Sequence, residues 1–168
     1  MSATNLTLDV RILAQLHEIA FERFIPDFAG RLRGPAPNHL PLNVSFGQHR
    51  GTPYEEVPAE LERLSSGVAS LVAQLDELQT RVDPDDLLPD VLTAAAWTHC
   101  ELVRIHPFPN GNGRISRLAI NYFCHRYGLL PIAIERPRGD YIEALRAWLY
   151  YKKVEPFADF LASLVRLD

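Results

Sequence analysis

His106-Pro-Phe-Pro-Asn-Gly-Asn-Gly-Arg-Ile-Ser-Arg117 gathers an imidazole, two amides, two glycines and two guanidinium groups into twelve residues. Apolar Leu102-Val103-Arg104-Ile105 precedes it and Leu118-Ala119-Ile120 follows it. A polar run between two apolar flanks reads as a loop joining two buried helices, which sets a helical frame for the rest of the chain.

Working outward, Val91, Leu92, Ala95, Ala96, His99, Leu102 and Ile105 share one broad side of a helix that delivers His106 at its C-terminal end. Asp83-Pro-Asp-Asp86 supplies the turn before that helix, with Pro89 placed in its first turn. Downstream, Ile115, Leu118, Ala119, Tyr122 and Phe123 mark the next helix, which Gly128 can end in a left-handed cap. Leu129 to Ile134 reads as an extended connection. A helix capped at Gly139-Asp140 and carrying Tyr141, Ala144, Leu145 and Trp148 inward follows. The last helix starts at Pro156 and buries Phe157, Phe160, Leu161 and Leu164.

Toward the N-terminus, Pro58 opens a helix with Leu61, Leu64, Val68, Leu71, Leu75 and Leu78 at spacings of three and four. Before it, Leu42-Asn-Val-Ser-Phe46 alternates, Gly47 to Gly51 offers turn chemistry, and Thr52-Pro-Tyr54 can return as a second short strand. Gly30 to Leu40 shows no periodicity and reads as a loop. Leu8, Ile12, Leu16, Ile19 and Phe24 follow a rough helical stripe that Pro26 closes. About six helices and one small hairpin predict an all-α class.

At 168 residues the chain has the length of one domain with a real core. A net charge of −4 argues against nucleic-acid or anionic-membrane partners, which call for a basic face. The N-terminus lacks the pattern of a signal peptide, and no window reaches the roughly 18 apolar residues of a membrane span, so the expectation is a soluble cytoplasmic protein. Cys100 and Cys124 are read as thiols on buried helix faces. The Asn5 and Asn43 glycosylation sequons are then incidental.

The chemistry of the central stretch points to an anion. Gly111 and Gly113 let the backbone take positive φ and approach a ligand closely, just where a helix start aims free N–H groups and its positive dipole end. Arg114 and Arg117, one turn apart, can converge on a polyphosphate. His106, at the other lip of the loop, is a candidate general base because an ordinary histidine is largely neutral at cell pH. The bland readings are a turn with a cap, a packing histidine and solvated arginines; the conjunction in one window favours the functional one.

The stretch resembles the signature of the Fic (Fic/Doc) family, His-x-Phe-x-(Asp/Glu)-Gly-Asn-Gly-Arg-x-x-Arg. Leu16-His17, Ala29-Gly30-Arg31-Leu32-Arg33, the segment Tyr54 to Leu64, and Tyr141-Ile-Glu-Ala-Leu145 resemble further family segments in the family's order. The resemblance implies a single Fic-like helical domain over 1–168, with a hairpin flap at about 42–56 and the motif loop at 106–117. It also implies transfer of a nucleotide monophosphate, usually AMP from ATP with Mg²⁺, to a Ser, Thr or Tyr hydroxyl of a target protein. His106 would be the base. Gly111, Asn112 and Gly113 would line the phosphates, Arg114 would contact them near the transferred group, Arg117 would meet the terminal phosphate, and Phe108 would pack into the core. The flap would hold the target by strand addition, and Tyr141 would lie near the base of the nucleotide.

Two departures matter. Asn110 stands where the family most often has Asp or Glu to hold Mg²⁺, and a neutral amide is a weaker ligand for a hard cation. The family's inhibitory pattern, (Ser/Thr)-x-x-x-Glu-(Gly/Asn), has only a failed match at Thr52 to Val57. Arg117 is therefore expected to lack a glutamate of its own chain, leaving a separate antitoxin-like inhibitor or no such control. The alternatives are a Fic relative that transfers UMP, GMP, phosphocholine or phosphate, and a nucleotide-binding module with feeble catalysis. A metal-dependent hydrolase using His99, Cys100, His106 or His125 is disfavoured, because His99 and His106 are two turns apart rather than at i, i+4. His99 reads as a hydrogen-bonded core residue, Trp97, Trp148, Tyr150 and Tyr151 as packing, and Lys152-Lys153 as a solvated helix end.

Overall fold

The computed structural model of the chain describes residues 6–134 and 139–165, which leaves Asn5 outside. Those residues form six helices and a two-stranded antiparallel hairpin, an all-α architecture: α1 (Val10–Phe21), β1 (Ser45–Phe46), β2 (His49–Arg50), α2 (Val57–Gln79), α3 (Pro84–Ile105), α4 (Asn112–Arg126), α5 (Gly139–Tyr151) and α6 (Glu155–Ala162). The chain divides into two compact units. One holds Thr7–Ala69 with Glu101–Ser116; the other holds Ser70–Cys100 with the described part of 117–168 and Leu6. No helix among the described residues is long and apolar enough to cross a membrane.

In the first unit, α1 starts where Asp9 accepts a hydrogen bond from the Ile12 N–H at 2.9 Å, an N-cap bond that also holds the Asp9 carboxyl below its ordinary pKa. Its inner face is Leu13, His17 and Phe21, spaced by fours. The stripe read from apolar residues alone is rotated off this face, and Ile19 and Phe24 are 74% and 76% exposed. The cause is His17, a polar residue that occupies a core position because its ring nitrogens have partners. The hairpin is tighter than expected. Gly47 and Gln48 alone form the turn, Phe46 pairs with His49, and Gly47 takes φ 56°, so the second strand falls on His49–Arg50 instead of Thr52–Tyr54. Leu61, Leu64 and Val68 of α2 are buried as their spacing predicts.

In the second unit, Pro84 opens α3 and Pro89 lies inside it, past the first turn in which it was expected. His99 Nε2 lies 2.9 Å from Tyr141 Oη, and its ring stacks on Phe157 with centroids 4.6 Å apart. That pairing joins α3 to the α5 and α6 pair through a buried histidine hydrogen-bonded at Nε2. Tyr141, Ala144, Leu145 and Trp148 of α5 are buried, as are Phe157 and Leu161 of α6. Asp76 ties the α2 end to α4, accepting from Arg126 at 2.6 Å and from Tyr127 Oη at 2.9 Å. From residue 117 onward the buried residues of α4 are Ala119, Ile120, Phe123 and Cys124, whereas Leu118, one of the apolar residues that mark the helix, is exposed. Tyr150 and Tyr151 are exposed too, contrary to a packing role. Cys100 and Cys124 are buried and unbridged, and burial raises the Cys124 thiol pKa.

Candidate active site

The motif stretch is half loop and half helix. α3 ends at Ile105, the chain turns at His106 in the left-handed region with φ 55°, and α4 begins at Asn112. A non-glycine residue there is uncommon and persists only where its surroundings fix it. What fixes His106 is Arg33. Its side chain is fully buried, and its guanidinium donates to four backbone carbonyls: His106 at 2.7 Å, Thr52 at 2.8 Å, and Leu42 and Ile105 at 2.9 Å. The Arg33 N–H adds a bond to the Pro107 carbonyl at 2.8 Å. The cation thus caps the negative end of α3 and ties it to both feet of the hairpin.

The His106 ring has one defined tautomer. Nδ1 lies 3.2 Å from the Val103 carbonyl, which can only accept, so Nδ1 carries the proton and Nε2 keeps its lone pair. The ring stacks on Phe46 of β1, with centroids 4.3 Å apart and planes 6° from parallel. Burial, reinforced by the Arg33 charge, lowers its pKa to about 4. A neutral imidazole with a free Nε2 at physiological pH is the state a general base requires.

Asn112 closes the loop on itself. Its Oδ1 accepts from the Phe108 N–H at 2.9 Å, and its Nδ2 donates to the Phe108 carbonyl at 2.8 Å. The Asn112 side chain is thus committed to structure. At the start of α4 the N–H groups of Arg114 and Ile115 both go to the Gly111 carbonyl, leaving those of Asn112 and Gly113 as the donors this first turn can offer a ligand. Gly113 is helical, so the expected positive φ is found at Gly111 alone, at 79°. Gly111 is packed on its own protein: a Cβ added there would meet Phe21 Cζ at 2.4 Å. Gly111→Ala is therefore expected to destabilise the fold by about 1–3 kcal/mol through strain and overpacking, read as a lower urea midpoint at unchanged slope.

Arg114 is exposed and lies over the Phe21 ring, its Cζ 4.1 Å from the centroid. Arg117 follows three residues later on α4 and hydrogen-bonds Tyr141, whose hydroxyl burial pushes up to about 12 against that opposing contact. Asn110 is exposed, and its Oδ1 accepts from the Gly111 N–H at 2.6 Å. An amide oxygen has a second lone pair, so Asn110 could serve as one neutral ligand to a hard divalent cation. Among the described residues no three His, Cys, Asp or Glu side chains group as a metal site. A cleft of about 660 Å³ opens beside the hairpin, lined by Val44, Ser45, Gly51, Thr52 and Arg104 among others. Gly51 also backs onto His106, since a Cβ there would lie 2.9 Å from His106 Cβ.

Three residues that shape this region carried no assigned role in the sequence: Arg33, Phe46 and His17. Arg33 and His17 stood only inside matched family segments. A charged or polar residue in a loop or on a helix gives no periodic signal of burial.

Comparison with known proteins agrees with the geometry. The pattern of the Fic/DOC family matches residues 7–124, well over half the chain. A "Protein adenylyltransferase Fic" from Nematostella vectensis is 41% identical over 81 residues, 48% of this chain and 18% of that protein. A Fido domain-containing protein from Dictyostelium discoideum is 43% identical over 61 residues, covering 35% of this chain and 43% of the relative. Among solved structures, Fic-1 from C. elegans superposes with a TM-score of 0.69 at 24% identity, over 97% of this chain and 42% of that one. BepC from Bartonella tribocorum, described with bound AMPPNP, gives 0.69 at 18% identity over 95% and 75%. The chain spans 18% of the Nematostella protein, 43% of the Dictyostelium protein and 42% of the Fic-1 chain. With the motif, the helical frame and the family pattern in agreement, this chain belongs to the Fic/DOC family.

Proposed function

We propose that the protein transfers AMP from ATP to a Ser, Thr or Tyr hydroxyl of a target protein. The observation that carries this reading is the His106 ring, held neutral with Nε2 free beside a helix start that offers amide donors and arginines. In the reaction the target hydroxyl loses its proton to His106 Nε2, its oxygen bonds to the α-phosphorus, and pyrophosphate leaves. The N–H groups of Asn112 and Gly113 and the Gly111 turn cradle the phosphates, Arg114 contacts them near the α-phosphorus, and Arg117 takes the terminal phosphate. Mg²⁺, when bound, would neutralise phosphate charge, with Asn110 as its one protein ligand. The cleft beside the hairpin, with the hairpin's open edge, supports binding of an extended target segment there. A carboxylate presented to Arg117 by a separate inhibitor chain would compete with that terminal phosphate.

The names of the partial-length relatives and the AMPPNP described in BepC support ATP as the substrate. The test is incubation of a lysate with the protein and ATP labelled at the α- or the γ-phosphate. Adenylylation retains α-label in protein, phosphorylation retains γ-label, and absence of α-label sinks the reading.

The Asn110 amide, tied to Gly111, favours a second reading in which the nucleotide binds but transfer is feeble. Restoring a carboxylate separates the two. Asn110→Asp is expected to lower the Mg²⁺ concentration giving half-maximal transfer by about tenfold, since one charged oxygen replaces a neutral one. An unchanged metal curve would place Asn110 outside the metal's reach.

A further inference from the structure

α1 contributes no residue to the motif, yet the motif loop rests on it. His17 is fully buried, and its Nδ1 lies 3.0 Å from the Gly30 N, an amide that can only donate. Nδ1 is therefore the acceptor, Nε2 carries the proton, and Nε2 donates to the Asn110 carbonyl at 3.0 Å. This is the opposite tautomer to that of His106. The ring lies between Phe108, with centroids 3.9 Å apart and planes at 12°, and Phe21, at 4.6 Å and 28°. Phe21 in turn lies under the Arg114 guanidinium at 4.1 Å. Phe108, His17, Phe21 and Arg114 thus form one continuous stack from the loop, through α1, to the first turn of α4.

We propose that His17 and Phe21 are positioning residues that hold the Asn110–Gly111 peptide and the Arg114 guanidinium in place for the phosphates. The purpose of that placement rests on the nucleotide-transfer reading; the placement itself does not. A trans peptide carries its C=O and N–H on opposite sides. Drawing the Asn110 carbonyl onto His17 therefore turns the Gly111 N–H away from α1, where Asn110 Oδ1 receives it. Only glycine lets the backbone come this close, because a Cβ on residue 111 would lie 3.1 Å from His17 Nε2 as well as against Phe21. Phe21 gives Arg114 a flat π face, so an exposed and flexible side chain is kept over the loop.

The geometry separates His17 substitutions. A glutamine amide can reach the Nε2 position and donate to the Asn110 carbonyl, whereas asparagine reaches only the Nδ1 position and leucine offers neither. The experiment measures amide hydrogen exchange of residues 111–114 in the nucleotide-free protein, and the ATP dissociation constant by calorimetry, for wild type, His17→Gln, His17→Asn, His17→Leu and Phe21→Leu. His17→Gln is expected to keep loop protection and ATP affinity close to wild type. His17→Asn and His17→Leu are expected to speed loop exchange and weaken ATP by about tenfold, with the Asn110 carbonyl left without its donor. Phe21→Leu is expected to weaken ATP by about threefold. Wild-type exchange in the asparagine and leucine variants, or equal loss in all three His17 variants, overturns the assignment. A wild-type protein that binds no ATP, with the exchange pattern as expected, leaves the assignment standing and overturns the nucleotide reading instead.

Discussion

His106→Asn is expected to lower the rate of AMP transfer by about 10²–10⁴-fold, the usual contribution of a positioned general base, with little change in ATP affinity. Asparagine is the informative replacement because it tolerates the left-handed backbone that residue 106 adopts at φ 55°. Loss of activity then reports on the imidazole and not on a collapsed turn. The readout is incorporation of α-label at saturating ATP, with thermal unfolding alongside. Retained transfer in a folded variant would remove His106 from the chemistry.

The same ring sets a pH dependence. Its pKa is drawn from 6.5 down to about 4 by burial, so the imidazole stays neutral well below neutral pH. Transfer is expected to hold steady from pH 7 toward 5 in respect of this group, and to fall as pH drops through about 4. Stability carries the matching sign. Between about 6.5 and 4 the unfolded chain takes up a proton that the folded His106 refuses, so the folded state loses ground as pH falls through that window. A profile whose acid limb lies near 6.5 instead would mean that burial and the Arg33 charge do not act on the ring in solution.

The helical frame was legible because Leu61 to Leu78 on α2 and Val91 to Ile105 on α3 set inward residues mostly at threes and fours over about four to five turns. The motif loop was legible for a different reason, the density of chemically distinct side chains around Gly111 and Gly113. What escaped was the support beneath it. His17 broke the apolar stripe of α1 and pulled the inferred face off axis, while the structure buries His17 because Gly30 and Asn110 satisfy both ring nitrogens. Leu118 misled in the opposite sense, since an apolar residue at helical spacing can face outward when Ile115, Ala119 and Ile120 already fill the inner side. Hydrogen-bond satisfaction over long sequence separations leaves no periodic trace, and that is why the burial of His17 escaped the apolar pattern.

Arg33 is the strongest case, and its substitution carries the second large effect. Arg33→Met is expected to cost at least about 3 kcal/mol of folding stability, a large share of the 5–15 kcal/mol typical of a domain, and to abolish transfer even where the protein still folds. Methionine fills much of the volume, so the loss reports on the four carbonyls of Leu42, Thr52, Ile105 and His106 left without their donor. Each is a buried or half-buried acceptor that water reaches poorly, and two of them close the negative end of α3. Arg33→Lys is expected to fall between methionine and wild type. It keeps the charge, but three donors on one nitrogen cannot fan out to four acceptors as a planar guanidinium does. Urea unfolding of both variants orders them, and transfer assayed well below their midpoints tests the second consequence. Because Arg33 binds the His106 carbonyl and both feet of the hairpin, its loss frees the His106 turn and the hairpin together. Equal stability of the methionine and lysine variants would show that the cavity, and not the pattern of donors, is what the fold requires at this position.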